Sequence, residues 1–129
     1  MGEYAKALND FDRAIDLDPQ YAWAIVSRAK TYLQMGESDK ARADIDRVGA
    51  LAEDDYRADP TDLQNLFNLA LYRVAQGDEA AAEALYCQGL AAGPNAPTLR
   101  DAIRDLDELI RFFPGNELAG RLRALLTAA

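Results

Sequence analysis

Apolar residues recur along this chain at spacings of three and four. Ala7, Phe11, Ala14 and Ile15 form one stripe, Ile25, Ala29, Tyr32 and Leu33 a second, and Ala41, Ile45 and Val48 a third. Leu66, Leu69, Ala70 and Val74 follow, then Ala82, Leu85, Tyr86 and Gly89. Such spacing lines up side chains on one face of an α-helix, and the alternation expected of a half-buried strand occurs nowhere convincingly. Gly36 and Gly77 close two of the stripes, where glycine can take the left-handed conformation that ends a helix. Further on, Leu99, Ala102, Ile103, Leu106, Leu109, Ile110 and Phe113 make a stripe ending at Pro114-Gly115, and Leu118, Leu122, Leu125 and Leu126 a shorter one. The pattern predicts an all-α chain of about seven helices, with loops of substance at Glu53–Thr61 and Ala92–Pro97.

The stripes repeat. Gly2-Glu3-Tyr4-Ala5-Lys6-Ala7 maps onto Gly36-Glu37-Ser38-Asp39-Lys40-Ala41 at an offset of 34, and Gly77-Asp78-Glu79-Ala80-Ala81-Ala82 is a third copy lying 41 residues after the second. About seven extra residues therefore sit between Val48 and Pro60, while Pro60 and Pro94 are again 34 apart. The unit is a helix, a glycine turn, a second helix and a proline break.

A 34-residue helix-turn-helix of this kind resembles the tetratricopeptide repeat, with its Trp-x2-Leu-Gly-x2-Tyr, Ala-x3-Phe and Pro pattern. The opening copy holds only the second helix of a repeat, with Ala7, Phe11, Ala14 and Pro19. In the second copy Ile25, Arg28, Ala29 and Tyr32 stand at the Trp, Leu, Gly and Tyr positions, followed by Ala41, Ile45 and Val48, with Glu53 in place of the proline. The third has Leu66, Leu69, Ala70, Arg73, Gly77, Ala82, Tyr86 and Pro94. Arg28 departs from the pattern at a leucine position. Residues 97–114 look like a second-type helix lacking its partner. The resemblance implies antiparallel helix pairs stacked as a short α-solenoid with a right-handed superhelical twist. Its expected organisation is a single domain over 1–129: a half-repeat at 1–20, repeats at 21–56 and 61–94, and capping helices at 96–128. A chain that starts inside a repeat leaves its first helix uncovered. The expectation is a C-terminal piece of a longer protein, the alternative being a second copy that covers Tyr4, Phe11 and Ile15.

Composition narrows the chemistry. The 129 residues are 50% hydrophobic and 28% charged, enough for a core without disulfide or metal. Fourteen Lys plus Arg against 22 Asp plus Glu give a net charge of −8, a field that repels nucleic acid and anionic membrane. With no histidine, Ser-His-Asp and Cys-His mechanisms and His-ligated metals are absent from the sequence. No phosphate-cradling glycine loop or metal motif occurs either, so no catalytic residue, cofactor or metal site is assigned. Of the acidic clusters at Asp10–Asp18, Glu53–Asp55 and Asp101–Glu108, the first and last lie on helices where Arg13, Arg104 and Arg111 alternate in sign, and Arg42–Asp46 and Asp107–Arg111 are spaced as pairs on a solvated helix face. Cys87, beside Tyr86 and Leu90, is expected in the core. A single cysteine, with no signal peptide or membrane-spanning run, suggests a cytoplasmic setting. Eleven arginines against three lysines, with many alanines, suggest a bacterial source.

The first helix of each pair is apolar around most of its circumference, which calls for burial on two sides or an exposed binding patch. Trp23, Val26, Lys30 and Leu33 lie off the main stripe of one such helix, and Gln64, Phe67, Asn68 and Leu71 off that of the other. In the resembled family this face lines a peptide groove. The eight residues are the candidate binding site, with Lys30 and Asn68 as polar anchors, unless the C-terminal helices fold over it. Some family members clamp the acidic tails of chaperones with Lys and Asn side chains. Asn68 falls on one clamp position, but Val26, Gln64, Phe67 and Leu71 occupy the others. The expected partner is a protein or peptide that is neutral to basic or apolar, with nucleic acid and membrane excluded. Self-assembly as a homodimer through Tyr4, Phe11 and Ile15 is the alternative.

Overall fold

The computed structural model describes residues 2–112 and 116–128, so Phe113 and the Pro114-Gly115 break lie outside the described residues. Seven helices form within them: α1 Gly2–Leu17, α2 Ala22–Gln34, α3 Ser38–Ala58, α4 Leu63–Ala75, α5 Glu79–Ala91, α6 Ala96–Phe112 and α7 Glu117–Ala128. No strand is present among the described residues, and the fold is an all-α helical repeat. None of these helices is long and apolar enough to cross a membrane.

The glycine turns are built as the stripes require. Gly36 and Gly77 have φ of +80° and +79°. In the first turn Gly36 N–H donates to the Leu33 carbonyl and Glu37 N–H to that of Tyr32, and in the second Gly77 donates to Val74 and Asp78 to Arg73. Each pair satisfies carbonyls that the helix end would leave open, and only glycine enters the left-handed region there without penalty. Short polar side chains start the helices that follow: Asp62 accepts from Gln64 N–H, Asp78 from Ala81, Asn95 from Thr98 and Asn116 from Ala119.

The chain divides into two compact units, residues 1–51 and 52–129. In the first, α1 packs on α2, and Ile15, Ala24, Ile25, Ala29, Ala41, Ile45 and Val48 are buried. In the second, α4 packs on α5 and α6, α6 on α7, and α7 on α5. Leu66, Phe67, Ala70, Val74, Ala82, Tyr86, Ala102, Leu106, Ala119, Leu122 and Leu126 form its core.

Two expectations are corrected. The loop at Glu53–Thr61 shrinks, because α3 runs on to Ala58 and takes up most of the extra residues. With Glu53 in the proline position nothing breaks the helix before Pro60. The added turns are held by Glu53, which pairs with Arg57 at 3.2 Å and Arg73 at 3.5 Å, and by Tyr56, whose hydroxyl accepts from Gln88 Nε2 at 2.9 Å. The second correction concerns residues 97–114. The described part of that stretch, within α6, is not a second-type helix without a partner: α6 pairs with α7 and stacks on α4, as the first helix of a further hairpin would. Leu99, Ala102, Ile103 and Leu106 in fact carry the first-helix spacing.

Candidate functional site

The eight residues assigned to one groove fall four in each unit, and each set is described within its own. On α2, Trp23 is 61% exposed, while Val26, Lys30 and Leu33 are half-buried. Ile25 and Ala29 turn inward on the same helix, so the outward face is set by the period of the α-helix. Trp23 rests edge-on against Phe11 of α1, ring centroids 5.7 Å apart, and lies 5.8 Å from the ring of Tyr21 at a tilt of 32°. Tyr21 is 44% exposed and Leu17 is 85% exposed. The short turn between α1 and α2 thus carries three large apolar side chains in solvent.

Sequence periodicity singled out neither Leu17 nor Tyr21. Leu17 does lie off the Ala7-Phe11-Ala14-Ile15 stripe, a signal that could have found it. Of the residues assigned to self-assembly, Tyr4 and Phe11 are half-buried and Ile15 is buried, which removes Ile15 from any surface.

Arg28 explains its own departure from the repeat pattern. Its Nε donates to Asp44 Oδ2 at 2.9 Å, its Nη2 to Asp44 Oδ1 at 2.6 Å, and its Nη1 to Asp12 Oδ1 at 2.9 Å. A leucine at this position would pack α2 against its neighbours, whereas the guanidinium ties α1, α2 and α3 together through charge-assisted bonds. The Asp44 side chain is only 5% exposed. Its hydrogen bond raises the pKa of Arg28 against the opposing effect of burial, with Asp12 adding to the rise. The Tyr32 ring lies against the same guanidinium at 6.0 Å and against Lys40 Nζ at 5.7 Å.

In the second unit the four α4 residues take different roles. Phe67 is 5% exposed and sits 5.9 Å from the ring of Tyr86, within the core. Leu71 is half-buried and packs against that core. Gln64 is exposed and donates to Asn68 Oδ1 at 3.0 Å, so the Asn68 oxygen already has a partner on its own helix. Tyr72 and Tyr86 both have pKa values pushed up, first by burial and then by the nearby Asp105 carboxylate.

Two other readings change. Cys87 is exposed, because Tyr86 fills the core position and the next residue on a helix points some 100° away. Asp107 engages Arg123 of α7 across the hairpin instead of serving only its own helix. Among the described residues no group of three or more acidic or cysteine side chains is placed to hold a metal ion.

The repeat geometry meets an independent comparison in the first part of the chain, where a sequence profile described as tetratricopeptide repeat matches residues 1–59. Residues 1–59 belong to the tetratricopeptide repeat family. The matched stretch holds α1, α2 and α3, the helices joined by Arg28. Among curated proteins, the outer dynein arm-docking complex subunit 4 of Bos taurus is 31% identical over 94 residues, which is 73% of this chain and 13% of that protein. The chain therefore spans a small part of that relative's length. No solved structure matches.

Proposed function

We propose that this tetratricopeptide-repeat chain is a non-enzymatic scaffold that holds segments of other proteins against the outward face of a first helix, that of α2 foremost. The observation that carries the reading is Trp23: a tryptophan 61% exposed, beside half-buried Val26, Lys30 and Leu33 on one helix, has the make-up of a binding hot spot. On α4 the corresponding outward residues are Gln64, Asn68 and Leu71, with Phe67 serving as their buried support. The family of residues 1–59 supports the reading, since such repeats are protein-interaction modules, and the relative's name as a subunit of a docking complex agrees with it. The favoured partner segment is neutral to basic or apolar, given the chain's net charge of −8. A cytoplasmic setting and a bacterial source belong to this reading on composition alone.

The test is a selection of peptides from a random library against the intact chain, followed by titration of each selected peptide. Trp23 is the single tryptophan, so its fluorescence reports occupancy of α2 directly. Peptides whose binding, measured by calorimetry where the probe itself is removed, weakens in Trp23→Ala or in Asn68→Ala with Leu71→Ala support the proposal. Selected peptides indifferent to both variants would place binding elsewhere and count against it.

A further inference from the structure

We propose that the turn between α1 and α2 is a docking edge for an arginine- or lysine-bearing apolar segment of a partner protein, seated on Leu17, Tyr21 and Trp23 and anchored by the Asp18 carboxylate. This inference rests on the scaffold reading and adds the place and the chemistry of the partner. Leu17, Tyr21 and Trp23 lie within seven residues of one another and are among the most exposed large apolar side chains of the described structure. Clustered exposure of this kind marks an interaction site, whereas single exposed apolar residues need no explanation. Trp23 is braced edge-on by Phe11 and lies beside the ring of Tyr21, and the backbone of the turn is fixed by Tyr21 N–H donating to the Asp18 carbonyl at 3.0 Å, so the two aromatic residues are presented from a formed turn.

Two features of the turn select the same cation. The exposed faces of Trp23 and Tyr21 attract a guanidinium or ammonium through their ring quadrupoles. The Asp18 carboxylate is exposed and accepts one bond within the turn, from Gln20 N–H at 3.1 Å, which leaves further acceptor positions open to solvent. Asp16, two residues back, is exposed as well. An acidic segment would meet these carboxylates with repulsion, and a purely apolar one would leave the aromatic faces and Asp18 without a charge partner.

The experiment titrates the intact chain, following Trp23 fluorescence, with three amphipathic peptides identical except that their polar positions are all Arg, all Gln or all Glu. The expected result is saturable binding of the Arg peptide with a Trp23 spectral shift, about tenfold weaker for the Gln peptide and absent for the Glu peptide. Asp18→Asn keeps the bond to Gln20 while removing the charge, and it should bring the Arg peptide close to the Gln peptide in affinity. Asp54→Asn with Asp55→Asn, a loss of charge remote in sequence, should leave binding unchanged. Equal affinity for Arg and Gln peptides, or equal effects of the Asp18 and Asp54/Asp55 variants, would overturn the inference. A concentration-dependent dimer abolished by Trp23→Ala would overturn it too, by naming a second copy as the occupant. If library-selected segments shift Trp23 but carry no positive charge, the inference fails while the scaffold reading stands. If the selected segments do not depend on Trp23 or α4, both fail.

Discussion

The ring of Phe67 occupies the space that a side chain on Gly89 would need. A Cβ built on Gly89 would lie 2.5 Å from Phe67 Cε1, 2.6 Å from Cζ and 2.9 Å from Leu66 Cδ2. The glycine is thus what lets α4 and α5 close around an aromatic ring, and its helical conformation gives no other reason for it. Gly89→Ala should destabilise the fold by about 1–3 kcal/mol through overpacking. Combining it with Phe67→Leu should recover part of that loss, because the smaller side chain vacates the space. Urea unfolding of the two variants and the pair measures the coupling, and strictly additive losses would refute the contact.

Phe67 and Trp23 should part company on truncation. Phe67→Ala removes a buried ring and should cost about 3–5 kcal/mol. Trp23→Ala removes a mostly exposed one, so its cost should stay near the ~1 kcal/mol of the lost edge contact with Phe11. Chemical denaturation distinguishes them, and a Trp23 loss as large as that of Phe67 would make Trp23 a core residue.

Arg28 and Asp44 form a pair that should tolerate removal together better than removal singly. Arg28→Leu restores the residue type expected of the repeat but strands the Asp44 carboxylate, and should destabilise by about 3 kcal/mol. Adding Asp44→Ala should return most of that stability. Thermal unfolding of the three variants decides it, with an undiminished loss in the double variant pointing to packing of the arginine stem instead.

Alkaline pH should loosen the second unit through its tyrosines. Burial, aided by Asp105, raises the pKa of Tyr86 and Tyr72 in the folded chain. Below the ordinary value of about 10 both states keep these protons and their contribution is fully present. Above it the unfolded chain ionises while the folded one resists, so stability falls as pH rises. Tyr86→Phe should flatten the decline above about pH 10 in urea titrations. An unchanged slope would mean that Tyr86 ionises without a folding penalty.

Gly77 should resist replacement for a backbone reason. Its φ of +79° costs a residue with a Cβ about 1 kcal/mol, although nothing within 4 Å would touch the added atom. Gly77→Ala should lower the unfolding midpoint, and Gly77→Asn should lower it less, since Asn enters this region more readily.

What the sequence by itself determined was local. Apolar spacing named the helical faces, Gly36 and Gly77 marked turns, and the 34-residue offset named the repeat, because each signal is written within a few residues of where it acts. The partner of each face was another matter. The outward stripe of α4 reads the same in sequence whether Phe67 lines a groove or fills a core, and only the seat against Gly89 and Tyr86 decides for the core. Cys87 beside Tyr86 reads as interior until the helix is rotated into place. Glu53 shows that a break is missing but not that Arg73 and Arg57 hold the prolonged helix. Arg28 looks like a defect until Asp44, sixteen residues on, meets its guanidinium. The repeat's own period fixes which side of a helix is apolar, and only the packing of neighbours distant in sequence fixes which sides stay wet. The exposed Leu17 and Tyr21 beside Trp23 are for that reason a finding of the tertiary structure.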